Sequence, residues 1–171
     1  MIILRYTDTE PRREWLSPRG HLLAKNIGTA LLQRRQLNSK SVIVTSPEPA
    51  AVMTAMTIAN FVPFIPVVRT LPELQGSALH RHVATFGEDG GRIAYGVQLG
   101  AVLVDMQQSV ESSGSLVVVS SASAIESLVA VIPSAGEAPE MEALRSQAGW
   151  ISELSIDPLT FTGLQRVHAT R

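Results

Sequence analysis

The sequence predicts an α/β domain built as a three-layer α/β/α sandwich with a mostly parallel central sheet. Two observations carry that expectation. Three short apolar runs, Ile2-Ile3-Leu4, Val42-Ile43-Val44 and Leu116-Val117-Val118-Val119, are continuous rather than alternating, which suits strands covered on both faces. The stretches between them carry apolar residues at helical spacing, so that strand and helix alternate along the chain. Each run also opens at its C-terminal end into short polar residues: Arg5-Tyr6-Thr7-Asp8-Thr9, Thr45-Ser46 and Ser120-Ser121-Ala122-Ser123. In α/β sheets this is the edge at which ligands bind.

The elements follow in order. Residues 10–14 form a charged loop containing Pro11, Arg12 and Arg13. Ser17 is suited to cap a first helix, and Pro18 stands where a first turn tolerates proline. Leu22, Leu23, Ile27, Ala30 and Leu31 give that helix an apolar face, with Lys25, Arg34 and Arg35 toward water. After an exit loop over 36–40, the second strand covers 41–45. Ser46-Pro47 breaks it and starts a helix over 48–60. Phe61 to Pro66 is a proline-rich apolar edge, and Val67-Val68-Arg69 a short extended piece. Residues 71–91 have no clean period and read as a long excursion with at most one irregular helical turn. Helical order returns over 92–111, with Leu99, Val102, Leu103, Met106 and Val110 on one face. The Leu116 strand comes next, then a helix over 124–131 stopped by Pro133, and a loop over 134–139. An alternating strand over 151–156, a turn at Asp157-Pro158 and a last strand over 161–168 complete a terminal hairpin.

A chain of 171 residues without internal repeat or linker reads as one domain over 1–171. Net charge is −1, so no global field recruits nucleic acid or an anionic membrane. The chain has 0 cysteines, which excludes disulfides, thiolate metal sites and a thiol nucleophile. Neither a signal peptide nor a membrane span is legible. These features together fit a soluble cytoplasmic protein.

Four separated segments resemble the histidine phosphatase superfamily, the phosphoglycerate mutase-like proteins. The first is the opening strand with Arg5-Tyr6-Thr7-Asp8-Thr9, where the family has Arg-His-Gly followed by Glu-Thr or similar. The second is Leu16-Ser17-Pro18-Arg19-Gly20-His21-Leu22-Leu23-Ala24, beside the family's Leu-Thr-x-x-Gly-x-x-x-Ala. In the third, Thr45-Ser46-Pro47-Glu48-Pro49-Ala50-Ala51-Val52-Met53-Thr54-Ala55 stands where the family has Ser-Ser-Pro-x-x-Arg-Ala-x-Gln-Thr-Ala. The fourth sets Val117-Val118-Val119-Ser120-Ser121-Ala122-Ser123-Ala124-Ile125 beside Val-Val-x-Ser-His-Gly-Gly-x-Ile. The segments span nearly the whole chain and imply a phosphoglycerate mutase-like fold.

The resemblance implies that a first histidine attacks phosphorus, that two arginines and a second histidine hold the phosphoryl oxygens, and that a carboxylic acid protonates the leaving group. Here the first histidine is Tyr6, the helix arginine is Ala50 and the second histidine is Ser121, while Thr7 and Ala122 stand for the family's glycines. Arg5 is retained, and Glu73 is the best candidate for the acid. A unit-charge pair near a surface is worth about 4 kcal/mol at contact, so losing two such charges removes several kcal/mol of charge stabilisation, before the nucleophile is counted. Tyrosine, with an ordinary pKa of about 10, is a weak nucleophile at neutral pH. The expectation from these losses is a protein that is not an enzyme, a binding or assembly module with a vestigial pocket. That pocket comprises Arg5, Tyr6, Thr7, Thr45, Ser46, Ala50, Glu73, Ser120, Ser121 and Ala122. A phosphatase with relocated chemistry and an unrelated small-ligand-binding α/β domain are the alternatives.

The remaining candidates read more plainly. Glu48 and Glu73 flank the same rim. His80 and His82 are two apart without a third ligand, so they read as surface histidines in a mobile loop, and neither metal nor cofactor is expected. Gly87-Glu88-Asp89-Gly90-Gly91 reads as a turn, because its acids would repel phosphate. The apolar edge at 61–66 points to a homodimer; the sequence leaves open any other protein partner or small ligand.

Overall fold

The computed structural model describes residues 1–5, 15–132, 150–156 and 159–168. The charged loop at 10–14, the loop at 134–139 and the turn at 157–158 lie outside the described residues. β1 (Ile2–Arg5), β2 (Val42–Thr45), β3 (Val67–Thr70), β4 (Leu116–Ser120), β5 (Trp150–Ile156) and β6 (Leu159–Arg166) form one sheet in the order β3-β2-β4-β1-β5-β6. β3, β2, β4 and β1 run parallel, while β5 and β6 join antiparallel at one edge. This is the mostly parallel sheet expected from the continuous apolar runs.

Side-chain alternation divides the core into two layers. Ile2, Leu4, Ile43, Val117 and Val119 pack against α1 (Pro18–Gln33) and α2 (Pro49–Asn60) through Leu23, Ile27, Leu31, Ala55 and Ile58. Ile3, Val44, Leu116 and Val118 face the other way, onto α3 (Gly76–Phe86), α4 (Glu88–Ser109) and α5 (Ala122–Val131). Strands clothed on both faces cannot tolerate polar alternation, which is why these runs are so apolar. Ser17 caps α1 as expected: its hydroxyl accepts from the Gly20 N–H at 2.9 Å, and Pro18 opens the helix. Among the described residues no helix is long and apolar enough to cross a membrane.

The stretch 71–91 differs from its reading. It contains a 3₁₀ turn at Pro72–Leu74 and the three-turn helix α3, and α4 begins at Glu88 rather than at 92. The predicted glycine-rich turn is reduced to Gly87, whose φ of +75° reverses the chain between the two helices. A side chain there would be strained, so glycine is the residue the corner needs. Residues 88–91 form the first turn of α4, where Glu88 and Asp89 complement the positive end of the helix dipole. Arg92 then pairs with Glu88 at 3.3 Å and with Glu126 of α5 at 3.1 Å. His80 and His82 are helical residues, not loop residues. His82 is tied down by its Nδ1 against the Ala78 carbonyl at 2.9 Å, while His80 is exposed. The apolar edge is divided: Val62 is buried, whereas Phe61 and Ile65 stand at the surface, with the Lys25 ammonium 4.8 Å from the Phe61 ring centre.

Candidate active site at the carboxyl edge of the sheet

Parallel strands of β-α units deliver their C-terminal ends and the following helix N-termini to one edge. Arg5 ends β1 and is the register partner of Ser120, which ends β4. Thr45 ends β2 opposite Val119, and the Ser46 N–H donates to the Val119 carbonyl at 3.0 Å, so the turn after β2 stays against β4. Ser121 is the cap of α5: its hydroxyl accepts from the Ala124 N–H at 3.4 Å and lies 3.1 Å from the Ser123 hydroxyl. Ala122 is the first residue of α5, and Ala50 is buried in the first turn of α2. The Leu71 N–H bonds to the Thr45 carbonyl at 2.8 Å and steers the chain into the 3₁₀ turn that carries Glu73. Arg5, Thr45, Ser46, Ala50, Glu73, Ser120, Ser121 and Ala122 therefore all sit at the carboxyl ends of the strands or on the turns and helix starts that follow. Tyr6 and Thr7 lie outside the described residues.

Two roles inside this set are structural. Thr45 is fully buried and its hydroxyl donates to the Ser46 carbonyl at 3.1 Å. Ala50 supplies the carbonyl that accepts from the Thr54 hydroxyl at 2.8 Å. Others are unpaired: the Oγ atoms of Ser46 and Ser120 and the Oε2 atoms of Glu48 and Glu73 are buried and have no hydrogen-bond partner. Buried polar atoms are nearly always satisfied, so four orphans on this edge call for a functional explanation.

Ser120 continues the face of β4 that looks onto the α3–α5 layer. Val44 and Val118 face the α3–α5 layer, so Ser120, two residues on, continues toward it; Ser46 stands two residues beyond Val44. In that layer the Tyr95 hydroxyl donates to the Glu73 carbonyl at 2.6 Å, and its ring packs tilted on His82 with centroids 5.7 Å apart. Beneath Glu73 a cavity of about 120 Å³ is lined by Arg81, His82, Tyr95 and Gln98. Glu48 reaches the same place from the other direction: its Oε1 accepts from the Gly76 N–H at 3.1 Å, at the start of α3.

Burial pushes the Tyr95 phenol well above its ordinary range, and the Glu48 and Glu73 carboxylates push it further. A phenol harder to ionise in the folded chain than in the unfolded one stabilises the fold fully below its ordinary pKa of about 10. That contribution is lost as pH rises above this value, because the unfolded chain releases the proton first. Alkaline titration of the melting temperature is expected to show a decline above about pH 10, and Tyr95→Phe to remove the Tyr95 share of it. An unchanged alkaline slope in the variant would refute the assignment.

Tyr95 was not legible as a site residue. Its only signal was a lone aromatic amid Ala94 and Gly96 on a helix otherwise read for its aliphatic face.

The chain is similar over nearly its whole length to solved phosphatases. The protein histidine phosphatase SixA, in complex with tungstate, matches at a TM-score of 0.65 and 18% identity, covering 96% of this chain and 95% of that one. The fold is that of the histidine phosphatases. The mycobacterial glucosyl-3-phosphoglycerate phosphatase in complex with VO3 shares it at a TM-score of 0.60 and 20% identity, with 99% of both chains covered. No protein-family model matches the sequence, and no curated protein is significantly similar to it. The phosphoglycerate mutase-like architecture expected from the four segments is therefore present.

The expectation that the chain is not an enzyme is corrected by these neighbours, which are phosphatases and match the histidine-phosphatase fold end to end. The error was physical. Substitution at 6, 50 and 121 does not by itself remove chemistry from an edge that still gathers Arg5, the Ser46 and Ser120 hydroxyls and the Glu48 and Glu73 carboxylates.

Proposed function

We propose that the chain is a phosphatase acting on phosphomonoesters at the carboxyl ends of β1, β2 and β4. The observation that carries this reading is the register pairing of Arg5 with Ser120, which sets a cation beside the start of α5. Phosphoryl transfer is accelerated mainly by positioning and by stabilising charge on the transferred group. Arg5 holds the phosphoryl oxygens, and the amino-terminal N–H groups of α5 face the same place, where a helix favours anions. Glu73 protonates the leaving oxygen. The attacking group is Tyr6, which stands in the position of the family's nucleophile, or a water molecule held there. The absence of cysteine agrees with a cytoplasmic setting.

A panel of phosphomonoesters and a phosphohistidine peptide tests the reading. Turnover is expected, with Arg5→Ala lowering kcat/KM by about 10²–10³-fold, the usual cost of removing one oxyanion contact. Tyr6→Phe separates the two attacking groups, abolishing turnover only if the phenol attacks. A chain that turns over none of these compounds overturns the proposal.

A further inference from the structure

β3 ends the sheet on the side of β2, and among the described residues no strand pairs with its outer edge. A hydrogen bond just beyond it fixes the direction of its backbone groups. The Leu71 N–H donates inward to the Thr45 carbonyl at 2.8 Å. Along a strand, alternate residues turn both N–H and C=O to the same side. Val67 and Arg69 therefore turn theirs to β2, and Val68 and Thr70 turn theirs outward. Pro66, two residues before Val68, adds an outward carbonyl but has no N–H. Such a row of unpaired groups is a template for another strand.

The same corner is apolar. Met56, Ile65 and Val67 are exposed there, Ile65 at 95%. Met56, Ile65 and Val68 line a groove of about 640 Å³ between α2 and β3. Exposed apolar surface of this kind marks an interface, and what the edge itself can take is an extended strand. A second copy of β3 fits without conflict. A two-fold axis perpendicular to the sheet keeps the α2 faces of both copies together and runs the two strands antiparallel. Centred on Arg69, it would set two guanidinium groups directly opposite one another, which destabilises a sheet. Centred on Val68, it sets Arg69 beside the partner's Val67, whose methyl groups the arginine stem covers. Val68 then exchanges both backbone bonds with the partner's Val68, and the Thr70 N–H donates to the carbonyl of the partner's Pro66. Val68 packs against the layer of α1 and α2, so the groove it lines lies next to the axis. We propose that the chain forms a two-fold dimer by antiparallel pairing of β3 with β3 of a second copy, centred on Val68. The sheet is then continuous through both copies, and the grooves of the two meet at the axis. The inference does not rest on the phosphatase reading.

Sedimentation velocity of the full chain, from micromolar to near-millimolar concentration, reads the association. A dimer is expected, with its dissociation constant raised at least about tenfold by Ile65→Asp and by Met56→Asp, since each buries an unpaired charge in the interface. Both side chains are exposed in the single chain, so the substitutions spare its fold. Cysteine cross-linking reads the register, without interference because the chain has 0 cysteines of its own. Val67 and the partner's Arg69 form a non-hydrogen-bonded pair, with Cα atoms about 4.5 Å apart, inside the range a disulfide spans. The double variant Val67→Cys/Arg69→Cys is expected to become a covalent dimer on oxidation. Val67→Cys alone is not, because like positions are two residues out of step. A monomer at every concentration, a dimer indifferent to both Ile65→Asp and Met56→Asp, or an oxidised double variant that stays uncrosslinked overturns the proposal. Cross-linking by Val67→Cys alone overturns it as well, because the axis would then lie at Val67.

Discussion

Replacing Gly96 with alanine is expected to destabilise the fold by about 3 kcal/mol or more, at the upper end of what overpacking a close contact costs. Gly96 lies on α4 where that helix crosses α5. An added methyl group would run into the Ser127 backbone carbonyl, with the carbonyl carbon at 2.8 Å and the Val131 side chain at 3.2 Å. The obstacle is helical backbone, which cannot turn aside as a side-chain end can. The two helices must separate, and that loosens Leu99, Leu103 and Leu128 in the layer behind the site. A melting temperature lower by roughly 6–12 °C is the expected reading for a domain of this size. Gly76→Ala is the control: nothing lies within 4 Å of a methyl group there, so stability should hold or rise slightly. Equal effects at the two positions would show that the α4–α5 crossing does not set the cost.

The same crossing shows why the sequence was legible in places and opaque in others. β1, β2 and β4 could be read because a strand buried on both faces leaves no choice of residue type. Ser17 and Pro18 could be read because a cap is a matter of three consecutive residues. The helix α3 could not. Its apolar positions, Ala78, Leu79 and Val83, are too few to give a period, and it holds its shape by packing on α4, including the contact of His82 with Tyr95. The site divides along the same line. Arg5, Ser46, Ser120 and Ser121 follow directly on their strands, so knowing the strands places them. Glu48 and Tyr95 gain their roles from residues 28 and 22 positions away, the Gly76 N–H and the Glu73 carbonyl. No local pattern encodes those distances. The expectation of an inactive chain failed for a related reason, since it judged a site by the residues missing from a pattern rather than by those that the fold assembles.

Glu73 offers the sharpest test of the chemistry. A proton donor matters in proportion to the basicity of the oxygen it protonates. An alkoxide is a poor leaving group, and general acid help is worth about 10²–10⁴-fold in such reactions. A nitrophenolate leaves without a proton and gains little. Glu73→Gln is isosteric, leaves the Tyr95 bond to the Glu73 backbone carbonyl available, and replaces a carboxylate oxygen that has no hydrogen-bond partner. Its stability should therefore stay close to that of the parent chain. Its kcat/KM for an alkyl phosphate is expected to fall by about 10²–10³-fold, while that for p-nitrophenyl phosphate falls less than about tenfold. The ratio of the two losses is the quantity to read, because a change in fold or in phosphate capture would depress both substrates alike. Equal losses would remove Glu73 from the role of donor, and the next group to examine would be a water molecule in the cavity beneath it.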